Sequence, residues 1–172
     1  MVEYKSSTGE GKCIFCEIVN GNIKPLGEGI IYEDKNYLAW LSPFPNTEGF
    51  ANIIPKKHYD SDVLDMPDKK LQGFILVAKK ISKMLINYFE DVGRVGLIME
   101  GTGINHAHIK LFPMHGTEHM KKGVWKQHHS NNEKYFDKYE GYISSNDGPK
   151  ADFEELKELA RKIRGFNDNL EL

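Results

Sequence analysis

The stretch Gly101-Thr-Gly-Ile-Asn-His106-Ala-His108-Ile-Lys110-Leu-Phe-Pro113 decides how this chain is read. Alternate side chains of an extended chain share a face. A strand over His106–Phe112, ended by Pro113, therefore sets His106, His108 and Lys110 in one row. Ala107, Ile109 and Leu111 then form the opposite, apolar face, which suits a core. Two imidazoles and an ammonium make a concentrated basic row. It follows a tight turn, Gly101-Thr102-Gly103, whose backbone N–H groups are suited to cradle an anion. A neutral imidazole is nucleophilic near pH 7 and forms phosphoryl-type covalent intermediates. On spacing alone, an alternating histidine pair also suits zinc, and the row also suits a solvent-facing polar strand face.

Outward from this stretch the remaining elements follow. Val95–Met99 precedes it as a strand after the turn Asp91-Val92-Gly93. Pro67-Asp68 opens one long helix, in which Leu71, Phe74, Ile75, Ala78, Ile81, Leu85, Tyr88 and Phe89 recur at three- and four-residue steps. Lys69, Lys70, Lys79, Lys80 and Lys83 fall mainly off that stripe and form a solvated face. Ile30–Tyr32 and Tyr37–Leu41 read as a hairpin about Asp34-Lys35-Asn36. Gly49–Pro55 is a third strand, and Cys13–Val19 is a short apolar run. After Met114 the chain turns polar and basic. Tyr139–Ile143 is a candidate late strand, and a second helix over Asp152–Arg164 has Phe153, Leu156, Leu159, Ala160 and Ile163 on one side. The layout is α+β: an antiparallel sheet of about five strands, one long helix and a C-terminal helical extension.

The chain has 172 residues, 40% hydrophobic and 28% charged, with a net charge of −2. That length suits one domain. The expected organisation is a flexible polar lead over residues 1–12, a single domain over 13–165 (core 13–113, extension 114–165) and a tail over 166–172. The charge balance excludes the basic footprint of a nucleic-acid binder. No run approaches the ~20 apolar residues of a membrane span. The first twelve residues lack the apolar centre of a signal peptide, so a cytoplasmic location is expected. Cys13 and Cys16 are the only cysteines. Their C-x-x-C spacing leaves a redox pair, two small buried residues or half of a zinc site. No βαβ pattern surrounds them, which weakens the redox option.

Four segments together resemble the histidine-triad (HIT) superfamily. His106-x-His108-x-Lys110 followed by Leu111-Phe112 resembles its H-x-H-x-H signature, with lysine in the third place. Cys13-Ile-Phe-Cys16-Glu-Ile-Val-Asn-Gly resembles the opening of many bacterial members. Ile31-Tyr-Glu-Asp34 with Leu38-Ala-Trp40 resembles the first hairpin, and Ile53-Ile-Pro-Lys-Lys-His58 the apolar-Pro-Lys-x-His stretch. The match spans residues 13–113.

The resemblance implies a HIT-like fold and a hydrolase or transferase acting on a purine nucleotide or dinucleotide. His108 would attack the α-phosphate and form a nucleotidyl-histidine, with His106 orienting the site. Phe15, Ile18 and Trp40 fall where the family lines its base pocket. Ser42 falls at the ribose position, where Asp or Asn is common. Thr102 and Gly103 fall in the phosphate loop, which here is short and lacks the usual Gln-Ser or Gln-Thr pair. Lys110, a fixed cation, favours a polyphosphate leaving group over an amine. Dinucleoside polyphosphates are therefore the expected substrates, with nucleoside phosphoramidates or binding without turnover as alternatives. The resemblance also implies a structural zinc on Cys13, Cys16, His58 and His106, and a homodimer. His115 is expected at the site rim. Lys121, Lys122, Trp125, Lys126 and His128 form a candidate flap over the phosphate or a second base.

Overall fold

The computed structural model describes residues 7–8, 11–25, 28–131, 134–145 and 148–167. The chain divides into two compact units, residues 1–126 and 127–172.

The first unit begins with a ribbon, β1 (Ser7–Thr8) paired with β2 (Lys12–Cys13), which leads into the short helix α1 (Ile14–Val19). Five strands follow: β3 (Ile30–Glu33), β4 (Tyr37–Leu41), β5 (Ala51–Pro55), β6 (Val95–Ile98) and β7 (Ile109–Pro113). They form one antiparallel sheet in the order β3-β4-β5-β7-β6. The long helix α2 (Asp68–Tyr88) joins β5 to β6. The β3–β4 turn closes on Asp34, whose Oδ1 accepts the N–H groups of Asn36 (2.7 Å) and Tyr37 (2.8 Å). This is the local side-chain turn that aspartate favours.

Alternation along the strands gives the sheet two covered faces. One face carries Ala39, Ala51, Ile53, Ile109 and Leu111 against Phe74, Val77, Ala78, Ile81 and Leu85 of α2. The other carries Leu38, Trp40 and Ile54 against Phe15 of α1 and Ile104. Phe74, Ile53, Ile54, Ile81, Ile109 and Leu111 are fully buried, each stabilising the fold by about 1.5–3 kcal/mol. Double coverage makes β4 and β5 almost continuously apolar.

Four expectations shift. The stripe of α2 centres on Val77, while Ile75 and Tyr88 lie exposed. β5 starts at Ala51, because Gly49 adopts φ +78° and its Cα lies against the Phe89 ring, where a Cβ would stand 2.5 Å from Phe89 Cε2. β7 starts at Ile109, not His106. Residues before it bond elsewhere: the Ala107 N–H donates to the Tyr59 carbonyl (2.8 Å) and the His106 N–H to that of Ile104 (2.8 Å). Tyr139–Ile143, in the second unit, forms no strand. Gly141 takes φ +94° there, and the Lys134 ammonium sits over the rings of Phe136 and Tyr142.

The described helix of the second unit is α3 (Phe153–Asn167). Asp152 caps it rather than opening it, its Oδ1 accepting the N–H groups of Glu154 (2.9 Å) and Glu155 (3.0 Å). Phe153, Leu156, Leu159 and Ile163 share one exposed side, as the spacing predicts. Among the described residues no helix is long and apolar enough to cross a membrane.

His115, just past β7, ties two connections together. Its Nδ1 lies 3.0 Å from Asp91 Oδ2 and its Nε2 3.1 Å from the Glu48 carbonyl. Both partners are acceptors, so the ring donates from both nitrogens and is held as the cation. The Glu48 carbonyl, then Asp91, raise its pKa. A raised folded-state pKa contributes stability that is full below the ordinary value of about 6.5 and is lost as pH rises through the folded value. The melting temperature of wild type should therefore fall between pH 6 and 8.5 more than that of His115→Gln. Parallel melting curves over that range would refute the cationic clasp.

Candidate active site and metal centre

The site is built where α1, the segment after β5 and the approach to β7 converge. Cys13 ends β2 and caps α1, and Cys16 lies one turn on. His58 follows β5. Cys13 Sγ lies 3.4 Å from His106 Nδ1, Cys16 Sγ 3.4 Å from His58 Nδ1, and Cys16 Sγ 3.6 Å from His106 Nδ1. All four ligand atoms fall within 4.8 Å of one another. A tetrahedral ion bonded to sulfur at about 2.3 Å and nitrogen at about 2.05 Å sets S···N edges of roughly 3.5–3.6 Å. Three of the four S···N edges, at 3.4, 3.4 and 3.6 Å, come close to that shape, so these residues could hold a metal ion.

The surrounding groups prepare the ligands. His106 Nε2–H donates to the Pro55 carbonyl (2.8 Å), which leaves the Nδ1 lone pair facing the cysteines. Burial, then the neighbouring His58 and His108, lower the pKa of His106 against the pull of that carbonyl and keep it neutral. Asp60 Oδ1 lies 3.8 Å from His58 Nε2. Burial, then the adjacent Cys13, push the Cys16 thiol up to about 11. A metal bound here displaces thiol protons.

His106 has a second role through its backbone. His108 Nδ1–H donates to the His106 carbonyl (2.8 Å). That bond fixes the tautomer and leaves Nε2 with a free lone pair. His108 is only 4% exposed, and burial lowers its pKa, so the ring stays neutral. The Phe15 ring stands edge-on to His108 at 5.9 Å, to His106 at 5.7 Å and to Trp40 at 5.3 Å. Ile18 packs against the same cluster. An apolar wall thus borders a neutral imidazole with one nitrogen available for attack.

The other sequence candidates are placed as follows. Ser42 follows β4, and its Oγ accepts the Phe44 N–H (3.2 Å), leaving the hydroxyl hydrogen to donate. Thr102 and Gly103 are exposed in the loop before His106, Gly103 at φ +88°. Gly101 is required at its turn, since a Cβ there would stand 2.8 Å from the Ser61 carbonyl oxygen. Lys110 is half-buried and donates to Glu100 Oε1. Burial lowers its pKa. His115 belongs to the clasp with Asp91 and Glu48. Of the candidate flap residues, Trp125 lies against the Arg94 guanidinium at 5.0 Å, and Lys121 Nζ donates to the carbonyls of Ile86, Phe89 and Glu90 at the end of α2.

Two residues escaped the sequence reading. Glu100 lies two positions past Ile98, which pairs with Lys110 across the sheet. Asn52 pairs with both Trp40 and Lys110 and so shares their face. The signal for each was two-residue alternation in a neighbouring strand, which becomes readable once the register is known.

A family model described as the HIT domain matches residues 26–117. An uncharacterized HIT-like protein of Methanocaldococcus jannaschii is 36% identical over 108 residues, 59% of this chain and 78% of its own. An adenosine 5′-monophosphoramidase of Saccharomyces cerevisiae is 30% identical over 111 residues, 62% of this chain and 65% of its own. In fold, the chain is similar to the SMU.412c protein of Streptococcus mutans, with TM-score 0.61 and 24% identity over 95% of this chain and 88% of that one.

Proposed function

Because this chain belongs to the HIT domain family, we propose that it hydrolyses nucleotides at the α-phosphate with His108 as nucleophile. One observation carries the reading: His108 is buried, which lowers its pKa, and its Nδ1 meets the His106 carbonyl, an arrangement that in the neutral ring leaves Nε2 unprotonated. Nε2 attacks phosphorus as the bond to the leaving group breaks, giving a nucleotidyl-histidine. Water then attacks phosphorus, the N–P bond breaks and the nucleoside monophosphate leaves. Phe15, Ile18 and Trp40 form the wall for a purine base. Ser42 donates to the ribose, and the backbone of Thr102 and Gly103 receives phosphate oxygens. Cys13, Cys16, His58 and His106 would hold a zinc ion, and its contribution would be rigidity where α1, the segment after β5 and the approach to β7 converge.

For the leaving group, the fixed cation of Lys110 suits a polyphosphate, and dinucleoside polyphosphates are the first substrates to offer. A second reading, nucleoside phosphoramidates, is favoured by the pairing of Lys110 with Glu100, which leaves the pair without net charge. The yeast relative named above points the same way. Incubation with diadenosine tetraphosphate and, separately, adenosine phosphoramidate, followed by chromatography, tests both. More AMP from the tetraphosphate supports the first reading, and more from the amidate supports the second. AMP from neither overturns the hydrolase assignment in favour of a binding module without turnover.

A further inference from the structure

The third place of the histidine row holds a lysine, and the lysine has a carboxylate partner. Lys110 Nζ donates to Glu100 Oε1, with the side chains only 25% and 14% exposed. Glu100 lies two residues past the end of β6. Among residues in register with Lys110, Asn52 on β5 and Ile98 on β6 are uncharged. The titratable groups on its own row are His106 and His108. Among the described residues, Lys110 thus has the Glu100 carboxylate as its acidic partner, from just past the adjoining strand, and His108 lies two residues before it in the chain.

A lysine stem has about 2 kcal/mol of rotamer entropy. A half-buried carboxylate restricts it to one place. Within the pair the carboxylate offsets the ammonium charge, which weakens the attraction of Lys110 for a polyanion. What it can offer a substrate is a proton at a fixed position. Breaking a P–N bond requires a proton on the departing nitrogen, whereas a polyphosphate or aryloxide leaves as an anion. Resting on the hydrolase reading above, we propose that Glu100 is a positioning residue: it holds Lys110 on the His108 row, so that Lys110 protonates a leaving amine. As His108 Nε2 bonds to phosphorus and the P–N bond breaks, one Nζ–H proton passes to the amine and Lys110 becomes neutral. Water then attacks phosphorus and gives a proton to Lys110, the Nε2–P bond breaks, and the ammonium beside Glu100 is restored.

The test uses two adenosine 5′-phosphate derivatives, an alkylamidate and a p-nitrophenyl ester. Glu100→Gln is expected to lower kcat on the alkylamidate about 100-fold, within the range of general acid catalysis. The ester, which needs no proton, should lose less than about 3-fold on the same reasoning. Removing the anion lowers the lysine pKa, so the alkaline limb of kcat on the amidate should move to lower pH. In a Lys110→His background, Glu100→Gln should cost little on either substrate. Equal losses on amidate and ester, or an undiminished loss beside histidine, would overturn the proposal. NMR titration of Lys110 in full-length His108→Ala protein needs no turnover. There Glu100→Gln should lower the titration midpoint, and an unmoved midpoint defeats the positioning role whatever becomes of the hydrolase reading. Failure of wild type on every substrate, with the midpoint shifted as expected, would instead fault the hydrolase reading alone.

Discussion

His108→Ala is expected to lower turnover at least 10⁴-fold, about 5.4 kcal/mol of transition-state stabilisation, in the range seen when an enzyme loses its covalent nucleophile. Nucleotide affinity should change little. The apolar wall of Phe15 and Trp40, the Ser42 hydroxyl and the Thr102–Gly103 loop all remain. Folding should also survive, because the main core lies on the opposite face of the sheet, between Ala51, Ile53, Ile109, Leu111 and α2. The cost to stability is one buried side chain and its hydrogen bond to the His106 carbonyl. The decisive measurement pairs calorimetric binding of AMP with rapid quench of a radiolabelled substrate. Wild type should accumulate acid-labile label on protein, and the variant none. A variant that keeps more than about a tenth of wild-type turnover, far above the level expected for loss of a nucleophile, would remove His108 from the chemistry.

The largest effect on stability is expected from the metal centre. Four ligands from three separated segments close loops of 42 to 93 residues, and an ion joining them restricts the unfolded chain as a cross-link does. Chelation, or Cys16→Ser, should destabilise the fold by about 4 kcal/mol, which at 2–4 °C per kcal/mol lowers the melting temperature roughly 10 °C. The sheet's own core keeps the loss below the total unfolding seen in small zinc modules. Elemental analysis should find one zinc per chain in wild type and less than one in Cys16→Ser. Because His106 would offer its ring to the ion while its carbonyl accepts from His108, loss of the ion should also loosen the nucleophile. The His108 Nδ1–H resonance should then broaden in the chelated protein. Absence of metal from the purified protein, with a melting temperature indifferent to chelator, would leave the four residues as a hydrogen-bonded cluster only.

The division between what was legible and what was not follows the range of the forces. Hairpin, long helix, sheet strands and C-terminal helix are local matters. Aspartate turns, proline breaks and two- or three-to-four-residue periodicity act within a few positions, and the sequence displays them directly. The apolar side of the His106–Lys110 row was legible for the same reason, since alternation alone sends Ala107, Ile109 and Leu111 to the core. The strand limits were less legible. β7 begins after the histidines because the Ala107 N–H finds the Tyr59 carbonyl, 48 residues earlier, a competition that no local pattern records. Trp125 met Arg94, and Lys121 met the end of α2, because any polar flap is drawn to whichever partners folding brings within reach.

Local pattern sufficed for the α+β layout and for the apolar side of the histidine row, and resemblance for the family and its four candidate metal ligands. Folding set the S···N spacing of those ligands and the hydrogen-bond partners that orient His106 and His108. It also supplied the acidic partner of Lys110. Each of these depends on groups far apart in the chain, and distances, burial and hydrogen-bond direction exist only once the strand register has been set.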